Sequence, residues 1–191
     1  MLHRIRLSVN CRNSPIKKIL PVTLPCFDTA ATNQKESVDK TQALCDYLKL
    51  ELIVINITPA LDINSNIVEK AINQKGNQWA KGQLVAYSRT PILYYITSLM
   101  NETGTPSIIL GTNNKDEGAY LGYFGKASDG MVDVQLISDI HKSEVYAIAK
   151  EMELPSSIVN AIPAGDMYDG RDDIDVFGAP YDFVELYLAF L

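Results

Sequence analysis

The run LIVINI at Leu52–Ile57 decides the fold. It is continuous, β-branched and uncharged, the mark of a strand buried on both faces. Upstream, Asn33–Leu50 reads as an amphipathic helix, with Val38, Leu44, Cys45 and Leu48 at helical intervals and polar residues between them. Before that, Ile16–Leu24 (IKKILPVTL) is apolar and β-rich, and Pro25 ends it. Downstream, Asp62–Gln74 reads as a second helix and Gly76–Gly82 breaks the pattern. Leu84–Met100 is helical, with Pro91 in its first turn or at a kink. Ser107–Leu110 (SIIL) is a short strand ending at Gly111-Thr112, and Val132–Ile137 is another. His141–Met152 is a helix with Val145, Ala147, Ile148 and Met152 on one face, followed by a short helix at Pro155–Ala161. Pro163–Gly178 reads as a polar loop and Tyr181–Leu191 as a final helix. Strands alternating with helices predict an α/β fold, a parallel sheet of about four strands flanked by helices. Such folds bind ligands beyond the carboxyl ends of their strands, which singles out the segment after SIIL.

Composition narrows the classes of function. Of 191 residues, 47% are hydrophobic and 21% charged, with a net charge of −6. That balance provides no basic stripe for nucleic acid. No run of 18 apolar residues occurs, so no membrane helix is expected. Cys11, Cys26 and Cys45 lack metal-ligand spacing and fit a reducing cytoplasm, and His3 and His141 complete no zinc cluster. The opening MLHRIRLSVNCRN lacks the apolar core and cleavage site of a signal peptide.

The densest polar stretch is GTNNKDEGAYLGYFGKASDGMVDVQLISDIHK, Gly111–Lys142. Gly111 and Thr112 at a strand end offer close backbone approach and a hydroxyl. Glu117 follows near a helix start, where a carboxylate could hold a hard cation such as Mg²⁺. Lys126, Asp129, Asp133 and Lys142 mix both signs, as a site for phosphates, a metal and sugar hydroxyls would; a solvated loop with helix-capping acids has the same composition. Trp79, Tyr87, Tyr94 and Tyr95 could stack a ring or form a helix–helix or dimer contact. The aspartates of DMYDGRDDID lack the spacing of a calcium loop.

Gly111–Val145 resembles the signature region of the NAD synthetases, members of the ATP-pyrophosphatase superfamily. The pattern there is G-T-x-x-x-x-E, then G-[FY]-[FT]-T-K-x-x-D-x-x-x-D, then a lysine opening the next helix. Gly111, Thr112, Glu117, Gly122, Tyr123, Lys126, Asp129, Asp133 and Lys142 match it, with one extra residue between Glu117 and Gly122. Pro163-Ala164-Gly165-Asp166 resembles the family's short loop, and FGAPYDFVELYL its closing helix. The segment from Leu24 to Ile57 resembles its second strand, helix and third strand, so the likeness runs over roughly residues 17–190.

The resemblance implies an adenine nucleotide alpha-hydrolase-like, Rossmann-like domain at 16–191 behind an irregular segment at 1–15. It implies adenylation of the nicotinate carboxylate of deamido-NAD by ATP, after which ammonia displaces AMP to give NAD. Carried over by position, Gly111, Thr112 and Lys142 would contact ATP and Glu117 would hold Mg²⁺. Lys126, Asp133 and Arg89 would contact deamido-NAD, with Lys126 and Lys142 stabilising charge during adenylation. A cytoplasmic homodimer is implied as well, as is free ammonia, or ammonia from a separate domain, as nitrogen source.

Departures from the pattern matter as much. No S-G-G-x-D-S run, whose glycines cradle pyrophosphate, is present; Leu7–Ser14 echoes it without either glycine. Pro15 then leads straight into the next strand, as in a synthetase whose front end is lost or replaced. Tyr87 stands where the pattern has an arginine, Ala164 replaces a hydroxyl residue, and the chain reaches Leu191 without the basic tail. These differences keep two further readings open, a catalytically inactive or truncated synthetase-like subunit and an ATP-pyrophosphatase acting on another carboxylate.

Overall fold

The structure, a computed structural model, describes residues 18–26, 34–122, 124–164 and 171–190. In chain order the elements are β1 (Val22–Thr23), α1 (Gln34–Leu48), β2 (Ile53–Val54), α2 (Thr58–Ile72), α3 (Gln78–Glu102) and β3 (Leu110–Gly111). A single π-helical turn at Asp116–Tyr120 follows, then β4 (Val134–Gln135), α4 (Lys142–Glu151), α5 (Ser156–Val159), α6 (Asp173–Phe177) and α7 (Tyr181–Leu188). The alternation of strands and helices is the expected α/β pattern, and both strand pairs are parallel. The proposed irregular segment at 1–15, together with Cys11 and His3, lies outside the described residues.

Among the described residues the four strands form two separate parallel pairs rather than one continuous sheet. Val22 pairs with Ile53 and Thr23 with Val54; Leu110 pairs with Val134 and Gly111 with Gln135. The backbone of β1 explains part of this. Ile53, Ile55 and Ile57 donate to the carbonyls of Pro21, Thr23 and Pro25, which commits the alternate groups of β1 to its other edge. On that edge the Leu24 carbonyl accepts from Arg89 Nε at 3.2 Å, and the Cys26 N–H donates to Gln34 Oε1 at 3.4 Å. Side chains thus satisfy backbone groups that a neighbouring strand would otherwise meet.

Three local expectations are corrected. LIVINI is covered on one face only: Ile57 is 2% exposed, whereas Val54 is 46% exposed, because α3 packs over the side that carries Ile53, Ile55 and Ile57. Gly82 does not break the chain; the Asn77 side chain accepts from Ala80 N at 2.8 Å and starts α3 four residues before the glycine, and the helix continues through Pro91. The polar stretch 163–178 contains α6, opened by Asp172 Oδ1 accepting from Asp175 N and closed by Gly178 at φ +74°. The core gathers Val22, Leu24, Cys26, Ile57 and Leu61 under Leu84, Val85, Ile92, Leu93 and Ile96 of α3. On α4 the expected apolar face is only partly covered, since Ile148 is 42% exposed.

Candidate active site

Beyond the carboxyl end of β3 the chain enters the π turn. Asn114, 3% exposed, accepts Glu117 N on its side chain at 3.0 Å and Gly118 N on its carbonyl at 3.1 Å. The turn is closed by Leu121 N donating to the Asp116 carbonyl at 2.9 Å, a bond spanning five residues. A π turn is an α turn with one residue added. This is where the sequence carries one residue more than the pattern it resembles, so the extra residue is absorbed locally. Gly122, at φ +67°, leads the chain out of the turn in a conformation that L side chains rarely adopt.

Asp116, the first residue of the π turn, has a fully buried side chain. Its Oδ2 accepts the Lys142 backbone N–H at 2.7 Å, and its Oδ1 lies 2.7 Å from His141 Nδ1. An ionised carboxylate only accepts, so Nδ1 carries the hydrogen, and a neutral ring then offers Nε2 to the Lys115 ammonium 3.1 Å away. Glu185 of α7 accepts from Ser143 N at 2.9 Å and from Ser143 Oγ at 2.5 Å. Glu144 accepts the His141 N–H at 2.7 Å. The free N–H groups at the start of α4 are therefore met by carboxylates from three directions, which complements the helix dipole.

So anchored, Lys142 meets Glu117 across 25 residues of sequence, Nζ to Oε1 at 2.8 Å, each side chain 19% exposed. The ammonium also lies 5.0 Å from the centroid of the Tyr181 ring. The Tyr181 hydroxyl is 3.0 Å from the same Glu117 Oε1 and 2.7 Å from Asp173 Oδ2. Burial, reinforced by the Glu117 and Asp173 carboxylates, pushes the Tyr181 phenol far above the usual tyrosine range.

The other residues singled out from sequence divide into groups. Gly111 is buried, and a Cβ there would collide with the Gln135 side-chain amide, so its requirement comes from the neighbouring strand. The Thr112 hydroxyl takes no partner among the described residues and stands at the mouth of the strand. Asp133 Oδ2 accepts Ile109 N at 2.7 Å, extending the pairing of β3 with β4, and Asp129 Oδ2 accepts Gly125 N at 2.9 Å, shaping the loop that carries exposed Lys126. Arg89 is buried against Leu24 and Gln34, while its neighbour Thr90 donates to the Ala127 carbonyl at 2.7 Å and ties α3 to the Lys126 loop. Tyr123 and Asp166 lie outside the described residues.

Two places invite a metal. Glu117 fits one: Oε1 is taken by Lys142 and Tyr181, while Oε2 has no partner among the described residues. Mg²⁺ commonly binds through one or two carboxylates and completes its shell with water and phosphate. Asp116, His141 and Glu185 also bring ligand atoms within 4.8 Å of one another. That set does not fit a cation, because both oxygens of Asp116 and both of Glu185 already accept hydrogen bonds at a helix N-terminus, beside the Lys115 ammonium. Sequence reasoning gave Asp116 and Tyr181 no role, and weighed His141 and Asp173 only as metal ligands, for zinc and calcium, that their spacing does not support. The available signals were an acid directly before Glu117 and a tyrosine opening the last helix, and neither type is unusual in such a place.

A family model described as NAD synthase matches residues 13–191. The chain belongs to that family. Among relatives, the NH(3)-dependent NAD(+) synthetase of Thermoplasma acidophilum is 32% identical over 177 residues, covering 93% of this chain and 67% of that protein. The corresponding synthetase of Methanococcoides burtonii is 29% identical, covering 81% of this chain and 56% of its own length. Among solved structures, the NMN synthetase of Francisella tularensis superposes with a TM-score of 0.74 at 26% identity, over 88% of this chain and 65% of that one. The chain thus spans between about half and two thirds of the length of these NAD synthase family relatives.

Proposed function

We propose that the chain supports ATP-dependent amidation of the nicotinate carboxylate of deamido-NAD, through an adenylate, with ammonia as nitrogen donor and pyrophosphate and AMP as by-products. The observation that carries this reading is the Glu117–Lys142 pair beyond the carboxyl end of β3, joined by Tyr181. Lys142 supplies a fixed ammonium for phosphate oxygens, and Thr112, which directly follows β3, would supply a hydroxyl. Glu117 would hold Mg²⁺ on Oε2; when bound, the metal neutralises triphosphate charge. Lys126, Asp133 and Arg89 are assigned to deamido-NAD, and the Thr90–Ala127 hydrogen bond joins the helix of Arg89 to the loop of Lys126. The test is calorimetric titration of Mg²⁺–ATP, with NAD formation followed in parallel. Glu117→Ala should weaken Mg²⁺–ATP binding, and equal affinity in wild type and variant would remove Glu117 from the metal site.

No S-G-G-x-D-S run occurs in these 191 residues. Losing one preorganised donor costs about 2.7–4 kcal/mol, roughly 10²–10³ in rate. A polypeptide of these residues alone should therefore turn over far below a synthetase that has the run, and adding an upstream segment that carries it should restore the rate. Full-rate synthesis without it would overturn that expectation. Absence of both Mg²⁺–ATP binding and turnover would favour the non-catalytic reading.

One observation favours a second acceptor, the nicotinate mononucleotide. Tyr87 replaces the arginine that the pattern assigns to the dinucleotide, and its hydroxyl donates to Gln83 Oε1 at 2.8 Å. The Francisella tularensis protein that superposes with a TM-score of 0.74 is an NMN synthetase, named for the mononucleotide product. Comparing kcat/KM for the two acceptors decides between them, and activity on neither, with ATP still bound, would point to another carboxylate.

The chain is further proposed to be a cytoplasmic homodimer. Ile63 and Ile67 of α2 and Tyr95 and Leu99 of α3 are 60%, 62%, 64% and 43% exposed on helices that pack together, which leaves an apolar surface for a second copy. No helix among the described residues is long and apolar enough to cross a membrane. Light scattering should give twice the 21.2 kDa of one chain; the mass of a single chain at micromolar concentration would count against the dimer.

A further inference from the structure

We infer that Tyr181, packed beside Asp173, is a positioning residue that fixes Glu117 for the metal and Lys142 for phosphate; the inference rests on the reading of those two residues as the Mg²⁺–ATP site.

The backbone sets the position of Tyr181. Asp172 caps α6 and places Asp173 in its first turn, where Asp173 N donates to the Pro163 carbonyl at 3.0 Å. Gly178 ends α6 in the left-handed region, and α7 starts at Tyr181 directly after Pro180. This tight turn between two short helices sets the Tyr181 hydroxyl 2.7 Å from Asp173 Oδ2, and Phe177 meets the Tyr181 ring edge-on at 5.7 Å. Asp173 is 5% exposed and Tyr181 8% exposed, so the geometry is fixed from behind by packing.

The front of the ring faces the site. Its hydroxyl stands 3.0 Å from Glu117 Oε1, and the Lys142 ammonium sits 5.0 Å from its centroid. One side chain thus touches both partners of the 2.8 Å Lys142–Glu117 pair. When the phenol hydrogen is turned to Glu117, the hydroxyl and the ammonium share Oε1, the carboxylate has one orientation, and Oε2 is the oxygen left over. Without the hydroxyl, Lys142 alone would hold Glu117, and that contact weakens once the ammonium turns to a phosphate. Tyr181 is then the contact that keeps Glu117 in place while Lys142 changes partner. It touches neither the metal nor the nucleotide in this role.

Tyr181→Phe keeps the ring and removes the hydroxyl, so the fold and the cation–ring contact persist. The phenol has one hydrogen, for which Asp173 Oδ2 and Glu117 Oε1 compete, so Asp173→Ala keeps the hydroxyl and leaves its hydrogen to Glu117. Mg²⁺–ATP is titrated calorimetrically into each protein at several Mg²⁺ concentrations, with thermal unfolding as a check of the fold. The expected result is affinity about tenfold weaker for Tyr181→Phe, regained as Mg²⁺ is raised, with unchanged stoichiometry. Asp173→Ala should stay within about threefold of wild type, and a loss there as large as in Tyr181→Phe would overturn the inference. A purely structural role would instead lower the unfolding temperature and the fraction of binding-competent protein, leave the affinity of each competent site as in wild type, and overturn the inference. Wild-type affinity in Tyr181→Phe at every Mg²⁺ concentration would overturn it too. Wild-type protein that binds no Mg²⁺–ATP would remove the underlying reading of the site and the inference with it, whereas binding by wild type with no change in Tyr181→Phe would remove the inference alone.

Discussion

Asp116 and Lys142 lie 26 residues apart, yet the Asp116 carboxylate accepts the Lys142 backbone N–H at 2.7 Å. The contact joins the π turn to the first residue of α4, so Glu117 and Lys142 each sit beside a fixed point. With Asp116 replaced by Ala, the Lys142 N–H and the His141 ring both lose a buried acceptor. At about 1–3 kcal/mol for each unmet group, Asp116→Ala should destabilise by ~2–4 kcal/mol in urea unfolding. Asp116→Asn should cost less, since the amide oxygen can still accept one of the two hydrogens. A loss under about 0.5 kcal/mol for Asp116→Ala, the range of an ordinary surface change, would show that the bracket does not hold α4.

The π turn yields a second expectation. Removing Ala119, which is exposed, shortens the segment between Glu117 and Gly122 by the residue in excess of the family pattern. The five-residue bond from Leu121 to Asp116 would then become an ordinary α-helical bond. Glu117 lies before the deletion and keeps its cap on Asn114, so the Glu117–Lys142 pair should survive. Mg²⁺–ATP affinity within about threefold of wild type, with equal or higher stability, is expected. Loss of binding in a protein that still folds would show that the extra residue sets the site rather than being absorbed beside it.

Gly111 gives a third, framed as a pair. A Cβ at this position runs into the Gln135 amide, whose Nε2 donates to the Asp129 carbonyl at 2.6 Å and whose Oε1 is buried without a partner among the described residues. Gly111→Ala must push that side chain aside, at about 1–3 kcal/mol. Gln135→Ser removes the obstacle and should recover most of that loss, giving a non-additive cycle. Additive effects of the two changes would mean that Gly111 serves a ligand or a backbone requirement instead.

The elements were legible wherever an apolar rhythm met a cap. Asn33–Leu50 and His141–Met152 were bounded within a few residues because Leu44 and Cys45 are buried in α1, and His141 and Met152 flank α4. α6 was hidden because its aspartates read as a loop, whereas Asp172 caps it and Asp173 turns inward to Tyr181. The burial of LIVINI on both faces was over-read: composition does not reveal that only the side facing α3 is covered. Glu117 and Lys142 were found as separate residues, and the structure shows them in contact. Asp116 and Tyr181 could not be found by spacing, since their partners lie 26 and 64 residues away.

The last expectation concerns alkaline pH. Burial first, then the charges of Glu117 and Asp173, raise the Tyr181 phenol well above its ordinary value; burial raises Tyr146 as well. An unfolded tyrosine ionises near pH 10, roughly its reference value. Below that, both states hold the proton and the stabilisation from Tyr181 is fully present. Above it, the unfolded chain releases a proton that the folded chain retains, so stability falls as pH rises. The slope is about 1.4 kcal/mol per pH unit for one such group. Urea midpoints measured from about pH 9 to 11.5 should therefore decline more steeply in wild type than in Tyr181→Phe. Absorbance of tyrosinate should show Tyr181 silent among the ten tyrosines until unfolding releases it. Parallel pH curves for wild type and Tyr181→Phe would place the phenol in contact with water and contradict its burial between Glu117 and Asp173.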